Sequence, residues 1–129
     1  MTIPVSAATT LQMFIDSFSE EFPYLKLVFF MPLSNGVSSN DHPLDTRRSV
    51  SDFVSPSKYL FFTVHPWEKT KDVEFKFINK IKVRAEILRK YKDRWIVTLG
   101  SDELTIYEQN ELGKEGADIS GSISNRFIQ

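Results

Sequence analysis

The run Phe22-Pro23-Tyr24-Leu25-Lys26-Leu27-Val28-Phe29-Phe30-Met31 constrains this chain more than any other stretch. Apart from Lys26, every residue from Tyr24 to Met31 is apolar or aromatic, and Pro32 ends the run. A short apolar run of this kind reads as a strand buried on most of both faces, in the middle of a sheet. Directly before it, Leu11, Phe14, Ile15, Phe18 and Phe22 recur at three- and four-residue spacing, which is one face of a helix. Thr9 with Gln12 suits a capping box at its start, with Ser6 as a competing start. Pro23 ends the helix, because the residue before a proline is pushed out of helical geometry. A helix feeding a central strand is thus the first expected unit.

Pro32 to about Pro56 is a long polar connection, with turn chemistry at Ser34-Asn35-Gly36 and one helical turn expected within 49–54. A loop of that length in a compact domain is either a binding loop or a surface loop, and the residues do not separate the two. Tyr59 to Val64 is aromatic and β-branched enough for a second strand, stopped by His65-Pro66. A second helix is expected from Thr70 to about Asn79, capped by Thr70 or Asp72, with Val73, Phe77 and Ile81 as its buried stripe. Val73, Phe75 and Phe77 also alternate as a strand would; the helix is the preferred reading. Ile81 to Leu88 alternates as a strand, residues 90–93 form a polar turn, and Trp95 to Leu99 return as the other half of an antiparallel hairpin. Thr105 and Glu108 form a capping box for a short helix that Gly113 ends.

From Gly116 the residues turn Ser/Gly-rich. The expected organisation is a single α+β domain over 1–115, with 116–129 as a C-terminal tail. The expected fold is a two-layer sandwich of about four strands and about three helices, including a C-terminal β-hairpin followed by a short helix.

Leu11-Gln12, Phe22-Pro23-Tyr24-Leu25-Lys26-Leu27 and Phe29-Phe30 resemble the opening of a family of small uncharacterised bacterial proteins. Leu104-Thr105, Glu108-Gln109-Asn110 and Gly113-Lys114 resemble that family's closing motif, and Leu88-Arg89-Lys90 with Trp95 fall where it has a strand, a turn and a Trp. The resemblance spans roughly residues 10 to 115. It implies one intact domain and carries no known activity.

Composition narrows the function classes. The 129 residues hold no cysteine, which removes disulfides, thiolate metal sites and thiol catalysis. No signal-peptide pattern and no membrane-length apolar run is present, so a cytoplasmic protein without membrane contact is expected. Eleven Phe against two Trp point to a Phe-rich core.

No catalytic motif occurs. His42 and His65 each precede a proline and lie far apart, too few ligands for a metal site. No catalytic, cofactor-binding or metal-ligating residue is therefore assigned, no cofactor is expected, and an enzyme is the least favoured class.

Charge is the clearest asymmetry. From Lys76 to Arg94 eight basic residues stand against Glu86 and Asp93. Lys82, Arg84, Arg89, Lys90, Lys92 and Arg94, with Trp95, form a candidate patch for nucleic acid or an anionic ligand, by charge plus stacking. A solvated basic face opposite acidic helices explains the same residues more simply. The leading expectation is a small non-catalytic protein-interaction module, with a protein partner or self-association as a homodimer favoured over nucleic acid. Tyr59, Phe61, Trp67, Trp95 and Tyr107 are aromatics that the core need not absorb, and strand 95–99 is a candidate sheet edge.

Overall fold

The computed structural model describes residues 1–32, 42–58 and 60–128, the side chains as far as 118. Three helices and five strands in two antiparallel sheets make an α+β fold. In chain order they are β1 (Thr2–Val5), α1 (Leu11–Glu21), β2 (Leu25–Phe30), β3 (Leu60–Thr63), α2 (Thr70–Ile81), β4 (Arg84–Tyr91), β5 (Arg94–Val97) and α3 (Ile106–Ile128). Strands β1 and β3 form a two-stranded sheet; β2, β4 and β5 form a three-stranded one with β4 in the middle, so the apolar run of β2 is an outer strand buried on one face and not the expected middle strand buried on both. One strand more is present than expected. Thr2-Ile3-Pro4-Val5 shows only two alternating apolar positions, too few to signal a strand alone, and it is completed by pairing Ile3 with Phe62 and Val5 with Leu60.

The helix ahead of β2 forms as the spacing requires, with Leu11, Phe14 and Phe18 fully buried. Its cap is Thr10 rather than Thr9: the Thr10 hydroxyl accepts from the Met13 N–H at 3.3 Å. Thr9 instead closes the preceding turn, accepting from the Ser6 N–H at 2.9 Å, while Gln12 reaches Asp16. The chain after residue 42 folds back over this helix start. Leu11 and Gln12 donate to the Arg48 and Thr46 carbonyls, Leu44 donates to Phe29, and the expected helical turn is the 3₁₀ turn Val50–Asp52. Ser34-Asn35-Gly36 and Tyr59 lie outside the described residues.

In α2, Val73, Phe77 and Ile81 are fully buried and Phe75 is exposed, so the helical period wins over the alternating one. The cap position is Lys69, not Thr70 or Asp72; Thr70 begins the helix, and its hydroxyl donates to the Leu104 carbonyl at 2.8 Å. The helix runs past Asn79 to Ile81, where Lys82 turns the chain with a left-handed φ of 64°, so β4 starts at Arg84 and not at Ile81. A core of phenylalanines joins the parts. Phe14, Phe29, Phe62 and Phe77 meet with ring centroids 4.2 to 6.3 Å apart, one each from α1, β2, β3 and α2.

The expected short last helix is a correction. Thr105 and Glu108 do exchange their capping bonds, each at 3.0 Å, but α3 does not stop at Gly113 and continues to Ile128. Gly113 serves close approach instead. A Cβ there would sit 2.6 Å from the Tyr24 carbonyl oxygen, and one at Gly116 would sit 2.7 Å from that of Lys90. The glycines let α3 lie against the ends of β2 and β4.

Candidate functional site

Alternation assigns the two faces of the three-stranded sheet. Leu25, Leu27 and Phe29 of β2 and Ala85 and Ile87 of β4 face the helices and are buried. Lys26, Val28, Phe30, Arg84, Glu86, Leu88, Lys90, Trp95 and Val97 lie on the other face, and all are half-buried or exposed. That face has no covering layer among the described residues.

The predicted basic patch divides across this sheet. Arg84, Lys90 and Trp95 share the open face. Lys90 Nζ stands 4.9 Å and Lys26 Nζ 5.9 Å from the Trp95 ring centre, and the Arg84 guanidinium lies 4.8 Å from that of Phe30. Arg89 points the opposite way, donating to Gln109 Oε1 of α3 at 3.0 Å. Gln109 is fully buried, and its amide passes the chain of bonds on to Ser101. Lys82 and Lys92 occupy left-handed backbone positions, and Arg94 is exposed beside the turn. Of the seven residues, Lys90 and Trp95 stand together, and Arg84 lies six residues along β4 from Lys90, against Phe30.

A second feature was not anticipated from sequence. A groove of about 360 Å³ lies between α2, β4 and the end of β5. Its apolar walls are Phe75 and Ile78 from α2, with Val97 and Leu99 opposite. Phe75, Val97 and Leu99 are 61%, 68% and 79% exposed, high values for large apolar side chains gathered at one place.

The floor is the side of β4 that β5 leaves uncovered. The last β5 partner is Val97, opposite Leu88. Beyond it, side chains replace the missing strand. Glu74 Oε2 accepts the Ile87 N–H at 2.9 Å, and the Thr98 hydroxyl donates to the Ile87 carbonyl at 2.6 Å. Because Ile87 turns its backbone groups away from β2, the two-residue period turns those of Ala85 to the same side. There they find no partner among the described residues, although Ala85 is buried. Buried backbone groups without partners are uncommon and costly.

Glu74 is the chemically distinctive group. Burial pushes its carboxyl up to about 7, against the restraining Ile87 hydrogen bond, and the negative charges of Glu86 and Asp102 push in the same direction as burial. Lys71 also lines the groove, but its ammonium is paired with Glu103. One carboxylic acid poised near neutrality is a proton donor or acceptor in principle. Here one oxygen is committed to a backbone amide, and the one hydroxyl on the groove wall, Thr98, is committed to a carbonyl.

The surface aromatics Phe61, Trp67 and Tyr107 do not line the groove, and the Tyr107 N–H donates to the Pro66 carbonyl beside Trp67. Trp67 stacks on His65 at 4.4 Å, away from the groove residues, and Phe61 and Tyr107 are exposed on β3 and α3. Among the described residues no group of three His, Asp or Glu could hold a metal ion, and no helix is long and apolar enough to cross a membrane. The expected edge does exist, since β5 is an outer strand.

A sequence signal for the groove was present: Phe75 and Ile78 are apolar yet lie off the buried stripe of α2. Nothing in the sequence marks Glu74 apart from other acidic residues. No family model matches the chain, no curated protein is similar to it, and no solved structure matches its fold.

Proposed function

We propose that this chain is a non-catalytic protein-interaction module that receives a polypeptide segment in the groove between α2, β4 and β5. The observation that carries the reading is the coincidence of exposed apolar side chains with unpaired strand backbone. Phe75, Ile78, Val97 and Leu99 offer apolar contact, and Ala85 offers a donor and an acceptor at strand spacing. Extended peptides use both at sheet edges: backbone bonds give affinity and side-chain pockets give selectivity. The residues that resemble the small bacterial family run through β2, β4 and α3, which fits one intact domain carrying one docking surface.

The test is selection of a displayed library of random ten-residue peptides on the full chain, repeated on the double variant Phe75→Ser/Leu99→Ser. Both side chains are largely exposed, so the variant keeps its fold. Peptides enriched on the parent and at least tenfold less on the variant support the reading. Equal enrichment on both retires it.

A second reading, single-stranded nucleic acid or another anionic ligand on the open face, rests on the Lys26, Lys90 and Trp95 cluster. Against it, the three cations already occupy the rings that bases would stack on, and Glu86 stands on the same face. Anisotropy of a labelled single-stranded oligonucleotide, at low and moderate salt, separates the two. Salt-sensitive binding lost on Lys26→Glu/Lys90→Glu favours the nucleic-acid reading.

A further inference from the structure

The groove is selective in charge. We infer that its partner is a polypeptide segment carrying a lysine or arginine beside an apolar residue, whose cation is received by Glu74. The inference rests on the docking role proposed above and names the chemistry of the ligand.

Three observations converge on it. The apolar walls and the Ala85 backbone define where a peptide lies, and Glu74 sits at the same floor, one strand period along at Ile87. The charged groups acting on Glu74 are Glu86 and Asp102, both negative. Of the two cations lining the groove, Lys71 is paired with Glu103 and Arg84 lies over the Phe30 ring, and neither is paired with Glu74. Glu74 thus has no cation paired with it among the described residues. A half-buried carboxylate gains most from a cation that arrives with it out of water.

The arrangement has a consequence for protonation. Without a cation, burial favours the neutral acid, and a bound ammonium or guanidinium restores the anion. Binding should therefore release a proton near neutral pH, and the Glu74 carboxyl should titrate lower in the complex than alone. An acidic or purely apolar segment would have the opposite effect or none.

The experiment uses the same displayed library of random ten-residue peptides on the full chain. The enriched peptides are then synthesised with each basic residue replaced by norleucine. Affinities are measured for the parent chain and for Glu74→Gln, and the Glu74 carboxyl is followed by carbon NMR. The expected result is a basic residue in the enriched set, at least a tenfold loss on the parent when norleucine replaces it, and a much smaller loss on Glu74→Gln. The Glu74 carboxyl moves down in pH when peptide is added.

Enriched peptides that depend on Phe75 and Leu99 but carry no basic residue would overturn the charge selectivity and leave the docking role standing. No enrichment at all would overturn both. A norleucine loss of the same size on Glu74→Gln would place the cation elsewhere and overturn the assignment to Glu74. Light scattering of the chain alone supplies the remaining arm. A dimer abolished by Phe75→Ser/Leu99→Ser would make a second copy the occupant and overturn the inference.

Discussion

Helices α1 and α2 are built alike and differ in what they turn outward. Each follows a strand of the small sheet, buries an apolar stripe at helical spacing and delivers the chain into the three-stranded sheet. Phe14 of α1 and Phe77 of α2 even touch, at 5.6 Å between ring centres. Off the stripe they part. The outer side of α1 carries Asp16, Ser17 and Glu20, with Met13 exposed in its first turn. The outer side of α2 carries exposed Phe75 and Ile78, with Glu74 half-buried between helix and strand. The usual order, apolar in and charged out, is inverted over one turn of α2. The stripe alone supplies the helix's share of the core, and Phe75 and Ile78 lie outside it.

Four sets of variants distinguish the two helices. The largest effect is shared: Phe14→Ala and Phe77→Ala should each cost about 3–5 kcal/mol in denaturant unfolding, since both leave a cavity in one core. Unequal losses would show that only one of the two helices is central.

The second effect belongs to α2 alone. The folded Glu74 carboxyl titrates near 7 and its reference value is 4.5. Below 4.5 it is protonated in both states. Between 4.5 and 7 the folded state holds the extra proton, so stability falls as pH rises, by about 2 kcal/mol in all once partial screening is allowed for, and is level above 7. Glu74→Gln should remove that slope, read as the difference between the two proteins' unfolding free energies across the window.

A third effect tests the substitute for the missing strand. Thr98→Val leaves the Ile87 carbonyl without its donor and should cost about 1–2 kcal/mol in a thermal or urea melt. The smallest effects on stability are Phe75→Ser, Ile78→Ser and, on α1, Asp16→Asn, each within about 0.5 kcal/mol. They separate in function: the two α2 changes should lower peptide enrichment at least tenfold, and the α1 change should leave it alone.

What was legible from sequence follows the same division. The stripes of α1 and α2, a strand at residues 25–30, the hairpin and the Thr105–Glu108 box all have local periods or fixed spacings, and these are present in the structure; the place of that strand at the outside of its sheet, with one face open, is not what its apolar run suggested. Gly113 was misread because a glycine late in a helix looks the same whether it ends the helix or lets another backbone come close. Strand β1 was missed because its pairing partner lies near residue 60. The basic residues between Lys82 and Arg94 are neighbours in sequence, but strand alternation sends Arg89 and Lys90 to opposite faces. The groove escaped because it is made by where β5 stops, and by Glu74 reaching the vacated position. Both are distances in space that the order of residues does not carry.

The place of β4 between its neighbours also bears on the order of assembly. On one side it meets β5 across a two-residue turn; on the other it meets β2, whose Leu25 pairs with Arg89 from about 60 residues upstream. A hairpin closes in roughly 1–10 μs, whereas joining distant segments carries a loop entropy that grows with the logarithm of the intervening length. Through the early part of folding β4 is therefore half of a hairpin with its β2 side bare, a nascent template that the α1–β2 segment must reach before another chain does. Pulse-labelled amide exchange reads this sequence of events: protection at the β4–β5 pairs Arg89–Ile96 and Tyr91–Arg94 should precede protection along Lys26–Leu88 and Val28–Glu86.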